Sequence, residues 1–117
     1  MIKNLGRRKL SRTGSHKKAM MRNLATSLFQ HERIKTTLSK AKELAGYSAK
    51  LITIARPGDL NAKRALSREI KDDKVRSKIF EVIIPRYQNR PGGYTQIYRV
   101  GLRSGDRASM AVIKLVS

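Results

Sequence analysis

The 117-residue chain carries 27 Lys and Arg against 8 Asp and Glu, a formal net charge of +19. A small domain stays soluble with a net charge of about 2 to 8, so this excess indicates a polyanionic partner, above all a nucleic acid. The absence of cysteine excludes disulfides, thiolate zinc sites and thiol catalysis. The length fits one domain, and without a long apolar run or a signal-peptide hydrophobic region we expect a soluble, non-secreted protein.

The beginning of the chain is basic and contains no Asp or Glu before Glu32. Residues 1–14 have almost no apolar periodicity and include Gly6 and Gly14, so they cannot bury enough surface to fold alone. We therefore predict a basic, nucleic-acid-binding arm over residues 1–14 and a single α/β domain over residues 15–117. An Arg-rich, acid-free start is also typical of an organellar transit peptide, which remains an alternative for this segment.

A first helix is predicted after the arm, with Ser15 as its N-cap. Apolar residues then recur at helical spacing, so one side of the helix should pack while the other side presents cations. This apolar stripe consists of Met20, Met21, Leu24, Ala25, Leu28 and Phe29.

The middle of the chain alternates one strand with further helices. The β-prone segment 33–37 predicts a strand, and a second helix follows with an apolar face from Ala41 to Ala55 before residues 56–58, Arg-Pro-Gly, stop it. Asp59 or Asn61 can cap a third helix, whose Glu69 we expect to face solvent.

A fourth helix should open at Asp72 and Asp73, whose charges complement the helix dipole, and Pro85 should end or kink it. Beyond Pro85 the period changes, and residues 94–102 and 110–116 predict the two strands of a hairpin. The fold class is therefore α/β of the α+β type. We expect two layers in the order α-β-α-α-α-β-β, with the helices packed on a small three-stranded mixed sheet.

Catalysis is poorly supported, so we predict no catalytic residue, no metal ligand and no cofactor. The two histidines, His16 and His31, lie in no hydrolase or metal motif, and neither do the eight carboxylates. Gly92-Gly93 lacks the Lys-Ser/Thr continuation of a phosphate-binding loop, and a turn that needs positive φ explains it more simply.

Nucleic-acid contact is better supported, and its chemistry favours phosphate over base edges. Arg and Lys form charge-assisted bonds with phosphate oxygens, and the amides at the start of a helix add to them. Near Gly92-Gly93, cations and tyrosine rings could meet an unpaired base, although a buried ring with a bonded hydroxyl explains Tyr87 and Tyr94 equally well. The candidate RNA-binding residues are Arg7, Arg8, Lys9, Arg12, Ser15, His16, Lys17, Lys18, Arg22, Asn23, Arg33, Lys35, Arg86, Tyr87, Arg90 and Tyr94.

An ordered series of motifs over nearly the whole chain resembles a known family. The motifs are Gly-Arg-Arg-Lys-Leu-Ser-Arg at 6–12, Ser-His at 15–16, Arg-Asn-Leu at 22–24, His-Glu-Arg-Ile-Lys-Thr-Thr-Leu at 31–38, Lys-Ala-Lys-Glu-Leu at 40–44, Pro-Arg-Tyr at 85–87, Arg90, Gly-Gly-Tyr-Thr at 92–95, Gly-Asp at 105–106 and Met-Ala at 110–111. In this series the chain is similar to the bacterial-type large-subunit ribosomal protein seventeen family.

The resemblance implies a compact ribosomal RNA-binding protein, with its arm and first helix on large-subunit RNA near the solvent side and the exit tunnel. It also implies neighbouring large-subunit proteins as partners, no membrane or small-molecule substrate, and a location in the ribosome of a bacterial cytoplasm, a mitochondrion or a plastid. Three features depart from the family's usual pattern: the start Met1-Ile2-Lys3, Ser109 in place of Pro, and Lys114 in place of an acid.

Two other classes of protein share the basic composition. An architectural DNA-binding protein would use the same phosphate chemistry, but the chain has no heptad, zinc site or obvious recognition helix. A basic amphipathic helix can also lie on anionic lipid, but we expect the stripe from Met20 to Phe29 to face the domain's own core.

Overall fold

The structure is a computed structural model that describes residues 14–116. The order of its elements is the predicted α-β-α-α-α-β-β, and the helices lie on one face of a three-stranded sheet, which confirms the α+β class and the two layers. Within residues 14–116, no helix is long and apolar enough to cross a membrane. The elements are α1 (Gly14–His31), β1 (Arg33–Thr37), α2 (Leu38–Ala55), α3 (Leu60–Glu69), α4 (Asp73–Lys78, continued through Ile79–Ile83 and Ile84–Arg86), β2 (Thr95–Leu102) and β3 (Ser109–Leu115).

Local capping bonds fix the starts of three helices. The Thr37 hydroxyl accepts a hydrogen bond from the Lys40 amide at the start of α2, and Asp72 caps α4. Asp59, rather than Asn61, caps α3, because its Oδ1 accepts from the Ala62 amide at 2.8 Å.

Helix α1 differs from its predicted start. Gly14 is already helical, so Ser15 lies within the helix and is not its N-cap. The prediction was wrong because the first apolar residue of a stripe marks where packing begins, whereas backbone hydrogen bonding decides where a helix begins.

Helix α4 ends close to Pro85, as predicted. Proline has no amide to donate to the carbonyl four residues earlier. The preceding residues Ile79–Ile83 form a π-helical turn, in which the Ile84 amide donates to the Ile79 carbonyl, and the helix ends at Arg86, one residue beyond the proline.

The sheet has the strand order β1-β3-β2 and is antiparallel throughout. It is not the mixed sheet that we predicted from the sequence. The reason is the position of β3 between the other two strands: β1 and β2 run in the same direction but never pair with each other.

The core lies between the helices and the inner face of the sheet. From α1 it takes Met21, Ala25, Leu28 and Phe29, while Leu24 is half-buried at its margin. Ile113 of the central strand is fully buried, and its pairing partners Ile34 and Ile97 pack against the same core. Within residues 14–116, no helix covers the opposite, outer face of the sheet.

Candidate nucleic-acid interface

The structure divides the predicted RNA-binding residues into three described groups. The first group lies on α1, the second on β1, and the third around the turn between α4 and β2. Four of the predicted residues, Arg7, Arg8, Lys9 and Arg12, lie outside the described residues together with most of the predicted arm.

The group on α1 faces away from the core. Ser15, His16, Lys18 and Asn23 are exposed, and Lys17 is half-buried. The helix contains no Asp or Glu between Gly14 and His31. Its apolar stripe packs inward, so the remaining side of the helix presents cations that no acid of the same helix compensates.

A cleft of about 370 Å³ lies beside this cationic side. Lys17, Lys18 and Arg22 line it from α1, and Lys50 lines it from α2. The structure therefore brings together three of the cations predicted from the sequence and adds a fourth. Such a cluster can bind phosphate oxygens without reading bases.

Glu69, at the end of α3, is the one acid that lines this cleft among the described residues. Its Oε2 accepts from the Arg22 guanidinium at 2.8 Å, and its Oε1 accepts from the Tyr47 hydroxyl at 3.0 Å. Partial burial alone would raise the pKa of Glu69, but these two hydrogen bonds, together with the positive charges of Arg22 and Lys18, lower the pKa. The expectation that Glu69 faces solvent was wrong, because its carboxylate links α3 to α1 and α2.

The contacts of Glu69 also affect the pKa of Tyr47 and the availability of Arg22 to other anions. Burial first, and then the negative charge of Glu69, raise the pKa of the Tyr47 hydroxyl, so it stays protonated and donates. Arg22 is paired with a carboxylate inside the chain, so it is less available to phosphate than the exposed Lys18.

The second group lies on the sheet. Arg33 and Lys35 are exposed on β1 and point to the outer face, since Ile34 and Thr36 point to the core. These two cations are therefore separated from the cleft and belong to a different surface.

The third group includes Arg86, which forms a bidentate ion pair with Glu32. Its guanidinium nitrogens lie 2.5 and 3.3 Å from the two carboxylate oxygens of Glu32, and the Lys78 ammonium lies 3.1 Å from the same carboxylate. The hydrogen bond from Arg86, with a further one from Lys78, lowers the pKa of Glu32 to about 2 despite partial burial. Arg86 is thus compensated before any RNA approaches.

Tyr87 and Tyr94 are buried, with only 1% and 3% of their surfaces exposed. Their ring centroids lie 5.1 Å apart, the Tyr87 hydroxyl donates to the Val116 carbonyl, and the Tyr94 hydroxyl donates to the Arg90 carbonyl. Neither ring is available to an unpaired base in this structure. The alternative explanation, a buried ring with a bonded hydroxyl, is confirmed for both.

Arg56, at the end of α2, links that helix to the turn between α4 and β2 through hydrogen bonds. Its Nη2 donates to the Arg90 carbonyl at 2.7 Å and also contacts the Tyr94 hydroxyl, whose ring lies under its guanidinium carbon. The Arg90 side chain is exposed, but its Nη1 donates to the Gly93 carbonyl at 2.9 Å. Gly93 has a φ of 65°, which explains glycine at this position.

Lys50 and Arg56 were not identified from the sequence. Lys50 occupies an exposed position off the apolar stripe of α2, a signal visible in the sequence. Its proximity to Lys17 and Lys18 depends on how α1 packs against α2, and no local pattern encodes that packing.

Comparison with known proteins places the chain in one family. A family model described as Ribosomal protein L17 matches residues 20–116. A protein of Endomicrobium trichonymphae, named large ribosomal subunit protein bL17, is 53% identical over 117 residues, with 100% of each chain covered. A protein of Elusimicrobium minutum with the same name is 50% identical, with 99% of each chain covered. One from Geobacter sulfurreducens is 52% identical over 99% of this chain and 66% of its own. The chain therefore belongs to the ribosomal protein L17 family.

Proposed function

We propose that this chain is a structural constituent of the large ribosomal subunit that binds and stabilises large-subunit ribosomal RNA. The proposal rests on one observation, the cationic side of α1. This helix contains no acid, and its Lys17, Lys18 and Arg22 line one cleft together with Lys50 of α2. Arg and Lys hold phosphate through charge-assisted bonds that are independent of base sequence. The relatives named as large-subunit proteins support the choice of ribosomal RNA among polyanions.

The charge balance of the described residues supports the same function. Five of the 27 basic residues precede residue 14, so 22 basic and 8 acidic residues lie in the described part. Most of the acids are already engaged within the chain, and the excess positive charge has to be met from outside. Glu32, Glu69, Asp73 and Asp106 form ion pairs, and Asp59 and Asp72 cap helices.

We further propose that Arg7, Arg8, Lys9 and Arg12 extend this RNA-binding surface. The segment continues directly into Gly14, which lines the cleft together with Lys17 and Lys18. A segment with this charge and so few apolar residues can bind a polyanion without a core of its own.

The role is structural rather than catalytic, and the partners are large-subunit RNA and neighbouring ribosomal proteins. The candidate residues on α1 are suited to hold phosphate through charge-assisted bonds. The DNA-binding alternative has no support among the relatives described above. We propose the ribosome as the location of the protein.

Filter binding of the full chain to large-subunit ribosomal RNA at four salt concentrations tests this function. The logarithm of the binding constant is expected to fall steeply with the logarithm of salt concentration. Lys18→Gln and Lys50→Gln should each flatten that slope by roughly one unit. Lys63→Gln is the matched control, because Lys63 is exposed on α3 beside Asp73 and Glu81 and should leave the slope unchanged. A parent slope near zero would contradict the proposal.

A further inference from the structure

The outer face of the sheet is a second surface with an unusual composition. The helices of the described part of the chain cover only the inner face. The register of the strands places the outward side chains in rows across the sheet. One row contains Arg33, Lys114 and Gln96, and the next contains Lys35, Val112 and Tyr98.

This face is positive. None of the three strands contains Asp or Glu. Within residues 14–116, Arg33, Lys35 and Lys114 form no ion pair with a carboxylate. Neighbouring strands lie about 4.8 Å apart, so these cations are close enough for one RNA strand to reach all three.

Tyr98 adds an exposed aromatic ring to the same face. The residue is 47% exposed, in contrast to the buried Tyr87 and Tyr94. Its hydroxyl donates to Gln96 Oε1 at 2.6 Å, and the Lys114 ammonium lies 5.5 Å from its ring centroid. The ring is thus oriented by its neighbours before a ligand arrives, which lowers the entropy lost on binding.

We propose that this outer face binds a single-stranded segment of large-subunit ribosomal RNA. An unpaired base stacks on Tyr98, and Arg33, Lys35 and Lys114 hold the adjoining phosphates. Exposed rings on a sheet are suited to unpaired bases, since every base has a face to stack, and nearby cations hold the backbone. The proposal rests on the function proposed above and adds a second contact with a different mode of binding.

Charge complementarity favours RNA over a protein as the occupant. A protein docked here would have to bring acids opposite all three cations, whereas an RNA strand carries a phosphate at every nucleotide. Val112, in the row of Lys35, and Met110, in the row beyond it, are half-buried and form too small an apolar surface for a protein interface on their own.

The first experiment measures binding of the full chain to large-subunit ribosomal RNA with variants at Tyr98. Loss of one stacked base corresponds to about 5- to 150-fold weaker binding, and we expect a loss in this range for Tyr98→Leu. Tyr98→Phe keeps the ring for stacking and loses only the hydroxyl bond to Gln96, so its loss of affinity should be much smaller than that of Tyr98→Leu. Thermal melting of each variant shows whether the fold is retained.

The second experiment tests the mode of binding with a short single-stranded RNA and a duplex of the same sequence. Tyr98→Leu should weaken binding to the single strand and leave binding to the duplex unchanged, because paired bases offer no free face to the ring. Lys114→Gln should reduce the salt dependence for the single strand by roughly one unit. An equal loss on both RNAs would overturn the stacking proposal.

Lys18→Gln, measured in parallel, separates this inference from the proposed function. If Lys18→Gln weakens binding to ribosomal RNA and Tyr98→Leu does not, the sheet inference fails and the proposed function stands. If the parent does not bind ribosomal RNA, the proposed function itself fails. If Tyr98→Leu binds the RNA normally but enters large subunits less efficiently, the occupant is a protein and the inference is overturned.

Discussion

The outer side of α1 and the turn between α4 and β2 were both predicted to bind RNA. Their side chains differ in how far the rest of the chain buries or bonds them. On α1, Lys18 is exposed beside the cleft. In the turn, Tyr87 and Tyr94 are buried, and Arg56 donates to the carbonyl of Arg90. A basic or aromatic side chain is accessible to RNA only where the chain does not bury it, and burial cannot be read from the residue type alone.

The acids account for much of this difference. Helix α1 contains none, so its cations lack a compensating charge on the same helix. Next to the turn, Glu32 holds both Arg86 and Lys78. A phosphate that recruited Arg86 would first have to break an existing ion pair, which makes that cation a weaker site than Lys18.

The largest effect that tests this comparison is a loss of stability from the buried turn. Tyr87→Ala removes a ring that is 1% exposed, together with its hydroxyl bond to the Val116 carbonyl. We expect the free energy of unfolding to fall by about 3 to 5 kcal/mol, measured by urea denaturation. Tyr98→Ala removes an exposed tyrosine and should cost less than about 1 kcal/mol. Equal losses for the two variants would refute the distinction between a buried and an exposed ring.

A second prediction distinguishes Lys50 of α2 from Arg56, the residue that caps the end of this helix. Arg56→Met removes hydrogen bonds to the Arg90 carbonyl and the Tyr94 hydroxyl, so we expect unfolding to become easier by about 1 to 3 kcal/mol with unchanged RNA affinity. Lys50→Met should do the reverse and weaken RNA binding without loss of stability. Denaturation and filter binding of both variants give the comparison. Weaker RNA binding by a stably folded Arg56→Met would place the turn in the interface.

Local patterns in the sequence were sufficient for most of the fold. The strand at residues 33–37 was predicted with its observed bounds, because a short β-prone segment lies between two strong helical stripes. Asp59 and Asp72 begin helices through bonds to amides two or three residues away. The strand order could not be predicted in this way, since it depends on contacts between β1 and β3, at opposite ends of the domain.

In the candidate site, too, the features set by local sequence could be predicted, and those set by long-range contacts could not. The outward direction of Lys18 follows from the apolar stripe of its own helix. The pairing of Arg22 with Glu69 joins residues 47 positions apart, and that of Arg86 with Glu32 joins residues 54 apart, so neither has a local signal. The burial of Tyr87 and Tyr94 likewise depends on the packing of α2 and β3 around the turn.

A third prediction concerns the pH dependence of stability that arises from the ion pairs of Glu32. The pKa of Glu32 is about 2 in the folded chain, below its ordinary value of 4.5. Its pairing therefore stabilises the fold above pH 4.5, and this stabilisation is lost as the pH falls toward 2. Glu32→Gln should abolish this part of the acid dependence and cost on the order of 1 kcal/mol at neutral pH, since solvent screens a pair that is one-third exposed. Denaturation from pH 6 to pH 2 measures it. Glu81→Gln, at an exposed position of α4, is the control and should keep the acid dependence of the parent.

The smallest effect concerns Arg22, whose guanidinium pairs with the Glu69 carboxylate in the cleft. Glu69→Gln removes the negative charge and keeps a side chain that can still accept from Tyr47, so Arg22 becomes available to phosphate. We expect tighter RNA binding at low salt, a salt dependence steeper by up to about one unit, and little change in stability, because the pair is partly exposed to solvent. Glu81→Gln makes the same change in net charge away from the cleft and should leave the salt dependence unchanged. If both variants steepen the slope equally, net charge rather than the cleft controls binding. If Glu69→Gln weakens binding, Glu69 holds Arg22 in its RNA-binding position, and an internal ion pair would then assist an RNA contact rather than compete with it.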